Sequence, residues 1–305
     1  MPKFSIILPT YNRADFLGET IDSVINQQFI DWELLIIDDG STDNSKEFCQ
    51  DYVNKDPRIK YHYQENQERS AARNNGIGLA TGEYICFLDS DDLMLSNHLE
   101  VLNRFIEKCE SKEALFFTNC TISNQSVEEN SKTPQLGSNP FDYFISNPVI
   151  PTRVCLSSII ARKYQFREDS IISEDMMYWM EVSYEHPVFQ INEFTVFYRV
   201  HEGNSVSLKN NHYPKMLRAL TRFKNEKPHI LNKLSPKVRK QAFSQIQYGI
   251  SRYNICTGNR GRAIIHLIAA IIKKPIHFQN RHRVLLMFTL LFRSMTKVQS
   301  IVNCK

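Results

Sequence analysis

Tyr84-Ile-Cys-Phe-Leu-Asp-Ser-Asp-Asp92 is the stretch on which the reading of this chain turns. Its first five residues carry no charge and have the length and character of a buried strand, and a polar string then ends it abruptly. Asp89 and Asp91, one residue apart, leave the strand for a turn and can both face a divalent cation and the polyphosphate it bridges. Taken alone, the same string is as well explained as an acidic turn capping the next helix. Its surroundings therefore decide.

Upstream the pattern recurs. Phe4-Ser-Ile-Ile-Leu8 reads as a buried strand that ends in Pro9-Thr10-Tyr11-Asn12, and Trp32 to Ile37 as a second that ends in Asp38-Asp39-Gly40-Ser41. Between them Phe16, Leu17, Ile21, Val24 and Ile25 recur at helical spacing. A helix through Phe48, Tyr52 and Val53 and a strand from Ile59 to Tyr63 follow. Residues 69–80 are rich in small side chains, which suits a helix lying close on a sheet. Downstream, Ser96 can cap a helix carrying Leu99, Leu102, Phe105, Ile106 and Cys109, and Leu115 to Thr118 is a further strand. The βαβα order predicts a mostly parallel sheet with helices on both faces, and ligands of such sheets gather beyond the carboxyl ends of the strands. The three polar tips are expected to converge on one cleft. Residues 123–150 are polar and read as a loop region.

Tyr11 offers a ring face to a nucleobase, and a carboxylate at the second tip can accept an N–H from the base edge. The plainer reading of Asp38 and Asp39 is turn chemistry. Arg73 can reach phosphate or base, or be a surface arginine.

Ser5-Ile-Ile-Leu-Pro-Thr-Tyr-Asn-Arg13, Leu34-Leu-Ile-Ile-Asp-Asp-Gly-Ser-Thr-Asp43, Ala71-Ala-Arg-Asn-Asn-Gly76 and Phe87-Leu-Asp-Ser-Asp-Asp92 together resemble the family 2 glycosyltransferases, in order and in spacing. The resemblance implies a GT-A fold and inverting transfer from a nucleotide diphosphate sugar, a UDP-sugar foremost, with Mn²⁺ or Mg²⁺. It implies that Thr10, Tyr11 and Asp39 hold the base, within a nucleotide site that also takes in Pro9, Asn12, Arg73 and Ser90. Asp89 lies near the ribose or the metal, and Asp91 is the principal metal ligand. Ser173-Glu174-Asp175-Met-Met-Tyr-Trp179 resembles the family's Glu-Asp motif before a short helix, whose Asp is the general base. Inversion needs a carboxylate on the acceptor side to take the hydroxyl proton, so Asp175 is the first choice and Glu174 the second; an acidic helix N-terminus explains the pair as well. Tyr198-Arg-Val-His-Glu-Gly-Asn-Ser-Val-Ser207 resembles a later family segment whose His can join the metal or diphosphate site, here His201. One departure is Gln67, where relatives often carry glycine.

The charge is divided sharply. Residues 1–214 hold 18 Lys and Arg against 32 acids, whereas residues 215–305 hold 19 Lys and Arg and a single acid, Glu226. The shift suggests a catalytic domain over 1–214, with a donor half to about residue 120 and an acceptor half over 121–214, followed by a basic helical region over 215–305. Within that region Ala263–Ile272 and Val284–Phe292 are apolar runs flanked by bases, each well short of the roughly 20 residues that span a bilayer. The region suits either an anionic membrane surface or a helical cap with solvated bases; no nucleic-acid motif is present. The 7 cysteines form no CxxC pair, which argues against a zinc ribbon or disulfide framework and for a reducing compartment. With no signal peptide in the opening residues, the expected place is the cytoplasm, peripheral on the inner face of the membrane. The acceptor expected is a glycan or lipid-linked glycan of a bacterial surface polysaccharide, and an oligomer is compatible with all of this. Two alternative readings fit the residues less well. A metal-dependent phosphohydrolase normally has Thr or Val after the second Asp, where this chain has Asp92, and a non-catalytic nucleotide-sugar-binding relative would lack an acid that is present here.

Overall fold

The structure, a computed structural model, describes residues 1–124, 127–130, 134–201, 212–273, 283, 286–287, 290–291 and 295–302. The chain divides into two compact units, Met1–His201 and Glu202–Lys305.

In the first unit, strands β1 (Phe4–Thr10), β2 (Trp32–Asp38), β3 (Ile59–Tyr63) and β4 (Tyr84–Phe87) alternate with helices α1 (Ala14–Ile25), α2 (Ser45–Lys55) and α3 (Glu68–Leu79). These four strands pair in parallel in the order β3-β2-β1-β4. β1 and β2 are buried at every residue, as strands covered on both faces must be. On one face Phe4, Ile6 and Leu8 of β1 pack with Leu17, Ile21 and Val24 of α1. On the other, Ile7 meets α3 so closely that a Cβ on Gly76 would lie 2.4 Å from its Cγ2. That close approach is what the small residues of α3 serve.

Beyond β4 the sheet becomes mixed. β5 (Leu93–Met94), α4 (His98–Lys108), β6 (Leu115–Asn124), β7 (Val127–Asn130), α5 (Pro140–Ser146), β8 (Val154–Ser157), α6 (Ser158–Lys163), α7 (Glu174–Glu185) and β9 (Val188–Arg199) follow, with a 3₁₀ turn at Pro151–Arg153 before β8. The order continues β4-β8-β6-β9-β5, with β4–β8, β8–β6 and β9–β5 antiparallel and β6–β9 parallel.

The expected loop over 123–150 is overturned in part. β6 runs on to Asn124 and forms a hairpin with β7, and Asn139 caps α5 by accepting from the Phe141 amide. The polar sequence of the hairpin carries no hydrophobic period that would mark a strand.

The second unit is helical: α8 (His212–Glu226), α9 (Pro228–Leu231), α10 (Pro236–Cys256), α11 (Arg260–Lys273) and α12 (Met295–Val302). Its own core joins Ile255, Ala263, Leu267, Leu286, Leu290, Val298 and Val302. Much of the apolar run 284–292, and residues 202–207 of the segment after Tyr198, lie outside the described residues. No described helix is long and apolar enough to cross a membrane. Cys49, Cys86, Cys109, Cys120 and Cys155 are free thiols, but Cys256 is disulfide-bonded, which departs from the reducing compartment expected from the cysteine spacing.

Candidate active site

Parallel strands end at one edge, so the polar tips of β1, β2 and β4 meet there. Asp39 donates its amide to the Thr10 carbonyl at 2.8 Å, which ties the first two tips together. Asn12, at φ +51°, turns its side chain across the gap. Its Oδ1 accepts from the amides of Thr42 (2.8 Å) and Asp43 (3.3 Å), while its own amide donates to Ser41 Oγ at 3.0 Å. Asparagine tolerates the left-handed region because its short polar side chain bonds locally. This cross-link leaves Tyr11 outermost, 46% exposed, with its ring available to stack. Pro9 and Thr10 lie buried beneath it.

The two neighbouring acids of the second tip divide the work. Asp38 is buried and accepts from the Ser41 amide (2.8 Å) and the Tyr61 hydroxyl (2.5 Å), a turn-holding role. Asp39 accepts through Oδ1 from Gln64 Nε2 (2.7 Å) and the Gln67 amide (2.9 Å). Gln67, the residue that departs from the family pattern, thus anchors the loop before α3 to Asp39 by its backbone, an interaction that glycine would equally make.

At the β4 tip the acids are fixed from three directions. The Asp89 amide donates to Thr152 Oγ1 (3.1 Å), which in turn donates to Asp92 Oδ2 (2.8 Å). Asp92 is fully buried, and burial, with Asp89 and Asp91 nearby, pushes its carboxyl well above the usual carboxylate range. It is an internal strut. From the far end of β9, Arg199 donates to the Asp91 carbonyl (2.6 Å), to Thr20 Oγ1 (2.7 Å) and to Glu19 (2.5 Å). Thr20 Oγ1 itself donates to the carbonyls of Ser90 and Asp92.

Asp91 Oδ2 and His201 Nε2 lie 3.0 Å apart, and the His201 ring packs 4.8 Å from that of Phe16. A carboxylate oxygen and an imidazole nitrogen are thereby presented together, a pair that suits Mn²⁺ and can also serve Mg²⁺. Among the described residues no three His, Cys, Asp or Glu side chains form a complete cage. A cation held by this pair would need further oxygen ligands from outside these side chains.

Arg73 does not sit on the surface. It is 2% exposed, and its guanidinium bridges Asp89 (2.7 Å) and Glu174 (3.2 Å) while lying over the Phe166 ring. A residue of α3 thereby joins the β4 tip to the start of α7. Ser173, immediately before α7, has φ +62° with no side-chain cap; a non-glycine residue held there is strained, a condition that clusters at functional sites. Asp175 follows, half-buried, with its Oδ1 accepting from the Met176 amide at 2.7 Å. Burial, then the neighbouring Glu174, raise its carboxyl from 3.8 to about 7, against the opposing pull of Met176 and Arg73.

The predicted residues of the three tips thus lie at the strand-end edge with His201 beside Asp91, Arg73 is the buried link from Asp89 to Glu174, and Asp175 follows Glu174 at the start of α7. Thr152 and Arg199 escaped the sequence reading. Their partners are 60 and more positions away, and no local pattern marks a threonine or an arginine as a strut.

A mixed sheet flanked by helices, with paired acids at the carboxyl end of its fourth strand, defines a GT-A nucleotide-sugar transferase fold. The model of "Glycosyl transferase family 2" matches residues 5–165, and the chain belongs to that family. An uncharacterized glycosyltransferase of Rickettsia felis is 32% identical over 241 residues, 77% of this chain and 39% of that protein. The GalNAc(5)-diNAcBac-PP-undecaprenol beta-1,3-glucosyltransferase of Campylobacter jejuni is 32% identical over 215 residues, 68% of each chain. The chain spans about a third of the length of the first three curated relatives it matches. Among solved structures, residues 1–349 of S. aureus TarS in complex with UDP-GlcNAc align with a TM-score of 0.62 over 90% of this chain and 93% of that one, at 19% identity. At that identity the likeness speaks for the fold.

Proposed function

We propose that the protein is an inverting glycosyltransferase that moves a sugar from a nucleotide diphosphate donor, a UDP-sugar foremost, to a hydroxyl of a glycan or lipid-linked glycan in bacterial surface polysaccharide synthesis. The observation that carries this reading is the Asp89–Arg73–Glu174 bridge. It ties Glu174, the neighbour of Asp175 in the chain, to Asp89 of the β4 tip. The name of the Campylobacter relative, a glucosyltransferase named for an undecaprenol-linked glycan, supports the lipid-linked acceptor; a cytoplasmic site on the inner face of the membrane is part of the same proposal.

In this reading Tyr11 stacks on the base, Asp39 accepts from its edge, and Pro9, Thr10 and Asn12 shape the turn beneath it. Asp89 and Ser90 lie along the ribose and phosphates, with Arg73 holding Asp89 in place from the protein side through their ion pair. Asp91 and His201 hold Mn²⁺ or Mg²⁺, which when bound supplies charge to stabilise the departing diphosphate. Asp175 takes the proton of the acceptor hydroxyl as its oxygen attacks the anomeric carbon from the face opposite the diphosphate. The configuration therefore inverts.

Titration calorimetry with UDP, GDP, dTDP and CMP, each with and without Mn²⁺, tests the donor site. The expected result is tight, Mn²⁺-dependent binding of one diphosphate that is lost in Asp91→Ala. Absence of binding to any of them would overturn the reading.

A further inference from the structure

Helix α11 has two apolar faces. The inner one is committed: Ala263 and Leu267 lie in the core of the second unit, and the carbonyls of Ala263 and Ala270 accept from Ser251 and Ser244 of α10 at 2.8 and 2.7 Å. The outer one presents Ile265, Ile268 and Ile272, which are 65, 42 and 70% exposed. Spacings of three, four and seven residues place these isoleucines in one stripe along the helix. Exposed Arg262 and Lys273 border the stripe near its two ends. Single exposed isoleucines are ordinary, but an aligned row of three on a soluble helix marks a face that something covers.

Charge narrows what that is. The region from 215 onward carries 19 Lys and Arg against one acid. A second copy docked through the same face would bring two such regions together and be repelled. Nucleic acid would meet the bases but leave the isoleucines without a partner, since its affinity comes from phosphate contacts. A bilayer containing anionic lipid satisfies both features at once: bases at the headgroups and a narrow apolar stripe at the acyl boundary. We infer that the outer face of α11, with Ile265, Ile268 and Ile272 at its centre, is an interfacial membrane-docking surface for anionic lipid. This deepens the peripheral placement given above by assigning it to one face of one helix. It does not depend on which donor or acceptor is used.

The test is co-sedimentation of the full chain with vesicles of phosphatidylcholine alone and of phosphatidylcholine mixed with phosphatidylglycerol. The wild type is expected to bind the mixed vesicles and not the neutral ones. The variant Ile265→Ser/Ile268→Ser/Ile272→Ser is expected to bind them at least about tenfold more weakly, with an unchanged melting curve. Should that variant melt early, Ile268→Asp alone is expected to give the same loss. Undiminished vesicle binding by a folded variant, or no binding by the wild type, would overturn the inference. So would a mass in sedimentation velocity that falls from dimer to monomer with the substitutions, which would assign the face to a second copy. Nucleotide titration of the same preparations reports separately on the donor site, so failure of one reading is distinguishable from failure of the other.

Discussion

Asp175 stands in the first turn of α7, where the helix dipole favours negative charge, yet its carboxyl is raised to about 7 by burial and by Glu174. A base with its pKa near the working pH combines a useful ionised fraction with the strength to accept a proton. As only the ionised form can do so, kcat/KM is expected to rise with pH through about 7 and then level off. Asp175→Asn is expected to lower transfer by about 10²–10⁴-fold with nucleotide binding unaltered; full transfer by this variant would return the role to Glu174. The sign of the stability effect follows from the same shift. The folded state resists ionising a carboxyl that the unfolded chain ionises near 3.8, so the group weakens the fold increasingly from pH 4 to pH 7. Asp175→Asn is therefore expected to raise the melting temperature at pH 8, by about 2–4 °C per kcal/mol released, and to leave it unchanged near pH 3. At this scale the motif residues were legible because their chemistry is carried by residue type and spacing. The partners of Arg73 were not, because a surface arginine and a buried bridge have the same local sequence.

Glu33 shows what a single carboxylate does between elements. Lying on β2 and 4% exposed, it accepts from Ser5 Oγ on β1 (2.6 Å), from the amide and hydroxyl of Thr81 before β4 (2.7 Å each), and from Lys60 Nζ on β3 (2.7 Å). Burial alone would raise its pKa, but Lys60, Ser5 and Thr81 outweigh that and hold it at about 2. A depressed carboxyl stabilises the fold above its unfolded value of 4.5 and loses that contribution as the pH falls through 2. Glu33→Gln is expected to destabilise the protein by about 2–3 kcal/mol at pH 7. Denaturant titrations should show the deficit shrinking toward pH 2, and a pH-independent deficit would mean that shape rather than charge is at work. The elements themselves were readable wherever hydrophobic period and burial agree, as in β1, β2, α1 and α4. They were not readable in the β6–β7 hairpin, where polar residues pair and carry no apolar period.

Over the whole molecule, each of the two units has its own hydrophobic cluster. Two calorimetric transitions are expected, and the cognate diphosphate with Mn²⁺ should raise only that of Met1–His201, by about 2.7 kcal/mol of stability at one hundred times its Kd. A single transition shifted as a whole would mean that the two units unfold together. The sequence by itself determined the class of sheet in the donor half, the three polar tips and the charge division at the basic region, because local periodicity, residue chemistry and composition carry each of these. Only the tertiary structure decided that Arg73 is buried between Asp89 and Glu174, that Thr152 and Arg199 brace the acid loop, and that α11 leaves three isoleucines outward. Those facts depend on which separate segments meet and on which helix face finds a partner, and neither is encoded in any one stretch of chain.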